Sequence, residues 1–596
     1  MSRSRLPMNA LLNLRKLVFL VCLAGLGLGL AGCAGGPARL WLNAPGWSRA
    51  LRIGTTTASA GLEPAIGPDG EMYFLLIEQG DSQQHPVVAA YTPDGQIQWR
   101  VELDIPISRA IGPKVRLVAS ELRLLWVDDG TLFETRLDPQ TGQLLAGPVS
   151  LSGSILADSF DVEVAQSGDR VVYFAGPRRA PGLYAVPPGA NQPLTIDARG
   201  IKPDLVADPD GGLHLFWSHH PPGFGDVEFL FGRLLPSGEL DSRANVIVRP
   251  PVGPTSVLQG PVGVVDGRTG YIFWSIIERT GMSAGSAQTR YVAFDPQAPS
   301  LIETAEWLYV PAEYHLPYEA ADAAPFQAGQ RVALPASSLP TSGYVADVAA
   351  VSGSGEAAVA ISSRSSYLRN KVELQASLMF LTDGAPQSYQ LVSFTQVAST
   401  SPGLRHDGKG HLYLTWLEKQ DVPGFVAYFT TTEPRMVAAM ERMTLEDVAR
   451  VGADAAFGLL TGALLAPAAL AWIVLPLILL ALTGRLRREN EQIYAPGTLV
   501  GLLLAIALFW LGKLALLPEI GVYIPFSAWI PFMPDWLEAP LRVGSPPLIG
   551  LLAAFVAWNF TYRRDTRSPV YFLLIYAGVD GLLTGALYGV LVYAAF

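Results

Sequence analysis

Residues 202–235, KPDLVADPDGGLHLFWSHHPPGFGDVEFLFGRLL, hold the pattern that decides the fold. The stretch reads as a short strand, an Asp-Pro-Asp-Gly-Gly turn, a second strand, a Pro/Gly loop and a third strand. The turn residues accept tight backbone geometry. Leu213, Leu215 and Trp217 alternate with their neighbours, as in a half-buried strand.

Six further stretches repeat this layout. Glu63-Pro64 leads through Pro68-Asp69-Gly70 to Met72–Ile77, and 115–120 leads to 122–127. Asp161–Ala165 leads through Ser167-Gly168-Asp169 to 171–175, and 261–265 through Asp266-Gly267 to 271–276. Finally, 345–351 leads through 352–355 to 357–361, and 401–404 through Asp407-Gly408 to 412–417. Seven units recurring every ~40–50 residues are the mark of a β-propeller. The expected fold is an all-β seven-bladed propeller over 47–432. The unassigned strand-like run 47–57 is expected to supply the outer strand of the last blade, so that no sheet edge is left open.

The turns resemble those of sialidase-like and related propeller repeats, at the level of the repeat alone. The Asp-box pattern and the WD40 Trp-Asp signature are not present, so the resemblance implies a fold and no activity.

Half of the 596 residues are hydrophobic and 16% are charged, which is apolar for a wholly water-exposed chain. The net charge of −10, without a basic patch interleaved with aromatics, argues against nucleic acid as a partner. Arg3, Arg5, Arg15 and Lys16 precede the apolar run 17–30, the layout of an export signal over 1–32. The run ends Leu30-Ala31-Gly32-Cys33, which resembles the lipobox of bacterial lipoproteins and implies lipidation of Cys33. A linker, 33–46, follows. Cys22 and Cys33 are the only cysteines, so no disulfide and no Cys-ligated zinc is expected downstream.

In a propeller, the loops joining the second and third strands share one face with the loops between blades. His219, His220, Arg279, Arg364, Arg369 and Glu418 fall there as candidates for binding a polar ligand. Strand ends also meet water, and are polar for that reason alone. His214, His219 and His220 do not form a metal set, because alternation points neighbours apart. Asp208 and Asp210 lack EF-hand spacing and read as turn residues. An insertion, 303–342, carries Trp307, Tyr309, Tyr314, His315 and Tyr318 and is a candidate surface for a glycan or a protein. No phosphate loop, nucleophile elbow or zincin motif is present, so no cofactor or metal is implied.

After 432 the composition changes. A juxtamembrane helix is expected over 433–454, with a hydroxyl cap at Thr444. A membrane domain, 455–596, follows as a bundle of about four helices, at 455–483, 497–517, 547–562 and 570–595. Arg485, Arg487 and Arg488 in loop 484–495, and Arg563, Arg564 and Arg567 around loop 563–568, put those loops in the cytoplasm. The propeller and C-terminus then lie outside. The 518–546 connection, with Tyr523, Phe526, Trp529, Phe532 and Trp536, is expected to rest at the membrane interface. The heptapeptide GLLTGAL occurs at 458–464 and again at 581–587. Gly458, Gly462, Gly581, Gly585 and Gly589 are expected to form close-packing helix faces. Asp580 and Lys513 are intramembrane polar candidates, with Asp454 a second possible partner for the lysine.

These features lead to a membrane-anchored extracytoplasmic propeller, more in keeping with binding than with catalysis. It is expected to act as a ligand-binding or scaffold subunit of a bacterial cell-envelope complex, with the bilayer and an envelope protein as partners. The alternatives are an envelope carbohydrate-active hydrolase using the propeller funnel, and an accessory subunit of a transport or assembly system.

Overall fold

The computed structural model describes residues 44–80, 83–165, 167–187, 192–219, 227–235, 237–241, 244–280, 287–310, 331–334, 345–353, 355–368, 371–393, 395, 397–419, 423–440, 445–464, 467, 470–487, 496–517, 520, 535–563 and 568–593. The signal segment, Cys33, His220 and Arg369 lie outside these residues, as do Tyr314, His315, Tyr318, Tyr523, Phe526, Trp529 and Phe532.

Residues 51–431 form seven antiparallel sheets, six of four strands and one of five. Successive innermost strands touch, and the last sheet meets the first, so the sheets close into a seven-bladed propeller. The innermost strands of blades 1 to 7 are Ala65–Ile66, Ala110–Val118, Ser159–Val164, Gly200–Ala207, Ser256–Val265, Val345–Ser352 and Ser399–His406. Leu51–Thr56 pairs with Phe425–Thr431 as the outer strand of blade 7. The two ends of the propeller segment therefore share one sheet, and main-chain hydrogen bonds lock the ring.

The second strands explain how the blades stack. Trp126, Trp217, Trp274 and Trp416 recur there in blades 2, 4, 5 and 7, each 1% exposed. Each packs with residues of its own blade and of the blade before. Trp126 shares a core with Tyr73 and Leu75, Trp217 with Val171 and Tyr173, and Trp416 with Ala360 and Leu378. Trp274 stands edge-on to Phe229 with ring centroids 5.7 Å apart. Removing such a side chain from a core costs about 3–5 kcal/mol.

In blades 4, 5 and 7 the turns between first and second strands follow one chemistry. Asp208 Oδ1 accepts the amides of Asp210 and Gly212, while Oδ2 bonds His214 Nε2 at 2.8 Å. Asp266 repeats this with the amides of Arg268 and Thr269 and the hydroxyl of Tyr271. Asp407 does so with the amides of Lys409 and His411 and the His411 ring. These are Asx turns, which satisfy loop amides locally. His214 is thus a partner of its own turn.

A second repeat lies on the innermost strands. In blades 2, 4, 5 and 7 a positive-φ residue precedes a proline: Gly112 (56°), Lys202 (52°), Gly260 (103°) and Ser401 (49°). At the same points the register shifts by a β-bulge. An innermost strand is paired on one side only, so proline's missing amide costs no ladder bond there. The bulge bends the strand and re-aims the residues after it.

The insertion of blades 5 and 6 is partly sheet. Glu306–Trp307 is the outer strand of blade 5, and Val332–Ala333 is the fifth, outermost strand of blade 6. Arg290 lies over the Trp307 ring at 4.0 Å, and Trp307 stacks on Tyr309. The described aromatics of the insertion therefore lie at a blade's outer edge.

Six helices follow among the described residues: α1 (Pro434–Met440), α2 (Leu445–Ala463), α3 (Leu470–Arg487), α4 (Pro496–Leu516), α5 (Asp535–Arg563) and α6 (Pro569–Tyr593). Glu433 caps α1, accepting the Met436 amide at 2.9 Å, and Met436 is buried in the core of blades 1 and 7. Three helices carry stretches long and apolar enough to cross a membrane: Pro496–Leu516, Ala539–Tyr562 and Pro569–Gly589.

Two expectations need correction. The apolar stretch 455–483 is two helices, α2 and α3, and the apolar part of α3 is the shorter Ala471–Thr483. Pro467, which lacks the amide a continuous helix would donate to residue 463, lies between them. The expected span 547–562 is the end of α5, which begins at Asp535 and carries Pro540, Pro546 and Pro547 within it. The second half of the supposed interfacial connection is thus helix, and Trp536 on it is 74% exposed.

α6 contacts α2, α3, α4 and α5. A side chain at Gly462 would overlap the Gly585 carbonyl, and one at Gly589 would overlap the Gly462 backbone. Lys513 Nζ lies 2.8 and 3.0 Å from the two Asp580 oxygens, with both side chains fully buried. Thr584 Oγ1 also donates to Asp580, at 3.3 Å.

Candidate functional site: the central channel

The register of the innermost strands places equivalent residues around the channel. Lys114, Asp161, Asp204, Val262, Val348 and Gly403 lie on one tier. Glu63, two residues before the blade 1 strand, completes it. Two residues further along lie Arg116, Glu163 and Arg405. One half of the channel is therefore ionic, while blades 5 and 6 contribute valines.

The ionic half is a closed network. Lys114 Nζ bridges Glu63 at 2.9 Å and Asp161 at 2.6 Å. Arg116 pairs with Glu63 and, at 3.2 Å, with Glu163, while its Nε donates to the Val162 carbonyl. Arg405 reaches across from blade 7 and grips both oxygens of Glu163. Three cations meet three carboxylates, and charge-assisted bonds of this kind are the strong ones. Burial by itself raises the pKa of Glu163, but Arg405 and Arg116 outweigh it and hold the group below the usual range. Glu63 is also held low, as Lys114, Arg116 and Arg405 outweigh its burial.

Asp204 is the fourth acid of this half. Burial pushes its pKa well above the ordinary value, and the neighbouring Asp161 carboxylate adds to that. Its Oδ2 accepts the Gly263 amide from blade 5. Asp161 Oδ2 likewise accepts the Leu205 amide of blade 4 at 2.8 Å, and Asp347 Oδ2 the Ser401 amide of blade 7 at 3.0 Å. The repeat has a physical cause: amides on the free edge of an innermost strand need acceptors, and the blade before supplies them.

The other half holds a cavity of about 280 Å³, walled by blades 5, 6 and 7 and by the segment entering blade 1. Its polar lining includes Ser59, Gln259, Asp347 and Ser401, and its apolar lining Val262, Val348, Pro402 and Trp274. Burial raises the Asp347 pKa, and no cation is among the residues that oppose it.

The face residues singled out from the sequence do not converge. His219 is 7% exposed, held between Asp197 and, at 3.5 Å, Glu228. Asp197 also accepts Trp217 Nε1 at 2.9 Å; burial raises its pKa, but the hydrogen bonds from His219, the Arg199 amide and Trp217 together outweigh this and bring it to about 2. Glu418 is 2% exposed and accepts Trp416 Nε1 at 3.0 Å. Arg279 and Arg364 are exposed. The channel groups were missed because inner-strand residues far apart in sequence meet only on ring closure. The signal available was the charged residue just after the Gly-Pro or Lys-Pro step, at Lys114 and Asp204.

The chain matches no protein-family model. It also matches no curated protein. Solved structures share the propeller fold. The polysaccharide lyase Uly1 is 9% identical, covers 64% of this chain and 91% of its own, and has a TM-score of 0.41. The β-propeller domain of the Trilobed protease from Pyrococcus furiosus is 8% identical, with coverage of 64% and 94% and a TM-score of 0.33. The Dos1 propeller is 8% identical, with coverage of 66% and 96% and a TM-score of 0.35. Likeness at this level is a likeness of fold.

Proposed function

We propose that the protein is a membrane-anchored ligand-binding or scaffold subunit of a bacterial cell envelope, its propeller outside the cytoplasmic membrane. The observation that carries this reading is a closed propeller joined on one chain to three helices of membrane-spanning length. The export signal and the Arg-rich loops support the same orientation, with Cys33 as a lipid anchor. A helix bundle larger than an anchor requires favours a membrane-protein partner.

The channel favours binding over hydrolysis. Two-carboxylate hydrolysis needs an acid and a base free to act on a substrate. Glu63, Asp161 and Glu163 are instead engaged by Lys114, Arg116 and Arg405. The hydrolase reading keeps one specific support: burial and the neighbouring Asp161 raise the Asp204 pKa well above its ordinary value, the direction a general acid needs.

Protease treatment of spheroplasts, followed by extraction in mild detergent and mass spectrometry of co-purifying proteins, tests the proposal. Digestion of the propeller without lysis, together with a stable membrane partner, is the expected result. A propeller protected until lysis overturns the orientation. An extracted chain that hydrolyses envelope glycans, and stops doing so as Asp204→Asn, replaces the binding reading with the hydrolase one.

A further inference from the structure

We propose that the 280 Å³ cavity beside Gln259 and Asp347 binds one uncharged, ring-sized polyhydroxylated molecule, such as a single neutral sugar ring. The inference rests on the ligand-binding reading above and names its ligand class.

The two halves of the channel differ in what their polar groups are doing. In the ionic half the cations and carboxylates hold one another. Around the cavity, Ser59 Oγ, the Gln259 amide, Ser401 Oγ and Asp347 Oδ1 have no hydrogen-bond partner among the described residues, and all four residues line the space. Hydroxyls and amides both donate and accept, so their natural complement is a set of groups that also does both. Ring hydroxyls are such a set. Val262, Val348 and Pro402 supply apolar surface between them, which suits the C–H faces of a saturated ring.

Charge argues for a neutral ligand. Among the described lining residues Asp347 is the only ionisable one, and it is half-buried with no cation among the groups that act on it. A cationic ligand is not required, because the Ser401 amide already donates to Asp347 Oδ2. An anionic ligand would meet no cation, because Lys114, Arg116 and Arg405 are already paired. Size limits the ligand to a single ring, since the volume lies at the lower edge of the roughly 300–1,000 Å³ usual for small-molecule pockets.

The backbone shapes the space. Gly260 has φ of 103°, and a side chain there would press on the Phe273 carbonyl. A side chain at Gly61 would press on the Pro402 carbonyl. Both positions keep the lining open where blades 1, 5 and 7 approach.

The test is saturation-transfer NMR and calorimetry on the full chain in detergent. The probes are neutral hexoses and hexitols, glucuronate, glucosamine, and oligosaccharides ending in the hexose that binds. Saturable binding of a neutral ring is expected, weakened about five- to tenfold in Gln259→Ala by loss of one hydrogen bond. Gln259→Trp, which fills the space, is expected to abolish it with the melting temperature kept. Binding by the free hexose alone identifies a free sugar, and equal binding of the oligosaccharide identifies the end of a glycan; both support the proposal. Preference for glucuronate or glucosamine overturns the ligand class. Binding unchanged in both variants overturns the site. Absence of binding by every probe, with the membrane partner still co-purifying, overturns the inference and leaves the scaffold reading intact.

Discussion

Replacing Glu163 by Gln probes the bond that ties opposite parts of the ring together. Glu163 sits on the innermost strand of blade 3, 5% exposed, and takes Arg116 of blade 2 and Arg405 of blade 7. The variant keeps the shape and one acceptor but leaves both guanidinium groups with Glu63 as their one carboxylate among the described residues. Breaking a buried ion pair from one side costs about 3–5 kcal/mol. A unit of roughly 400 residues has an unfolding entropy near 0.8 kcal/mol/K, so the expected loss is about 4–6 °C in melting temperature. Scanning fluorimetry of the detergent-solubilised chain reads this directly. The pH dependence gives a second check. The folded pKa of Glu163 is lowered, so its contribution is present above the ordinary value of 4.5 and is lost as pH falls toward the folded one. The gap between wild type and variant should therefore be widest at neutral pH and narrow below about pH 4–5. Equal melting temperatures at pH 7, or a gap that widens in acid, would refute the argument.

Asp204→Asn should behave in the opposite way. Its folded pKa is raised, so ionisation costs stability as pH rises above 3.8, and the variant should match or exceed wild type at pH 7–8 in the same fluorimetric scan. In the bundle, Lys513→Met or Asp580→Asn alone should lower detergent-resistant folded protein more than the Lys513→Met/Asp580→Leu pair, because each single change strands a buried charge. Gly462→Leu should break the α2–α6 contact and shift the bundle's thermal loss, followed by size-exclusion of heated samples, while exposed Gly452→Ala on α2 should not. Glu433→Ala removes the α1 cap and should cost about 0.5–2 kcal/mol, read as faster proteolysis between propeller and bundle.

The sequence by itself determined the blade count, the closing strand and the presence of helices long and apolar enough to cross a membrane. These follow from local signals. Tight turns of Asp, Gly and Ser between alternating strands recur along the chain, and the run 47–57 was left over at one end of the repeat. Apolar length marked the helices, but not their limits, because Pro467 broke one stretch while Pro546 and Pro547 were accommodated inside another. Two of the face residues lie deeper than the sequence suggests, for a related reason. His219 and Glu418 end strands, yet Asp197 and Trp416 draw them inward, and Asp197 belongs to the neighbouring blade.

Only the tertiary structure decided where the chemistry lies. Glu63, Lys114, Glu163 and Arg405 come from four blades, and Glu163 is 242 residues from Arg405. No local pattern encodes that meeting. It arises because seven strands share one axis, so side chains at equivalent registers converge on it. The same closure left Ser59, Gln259, Asp347 and Ser401 around an open space.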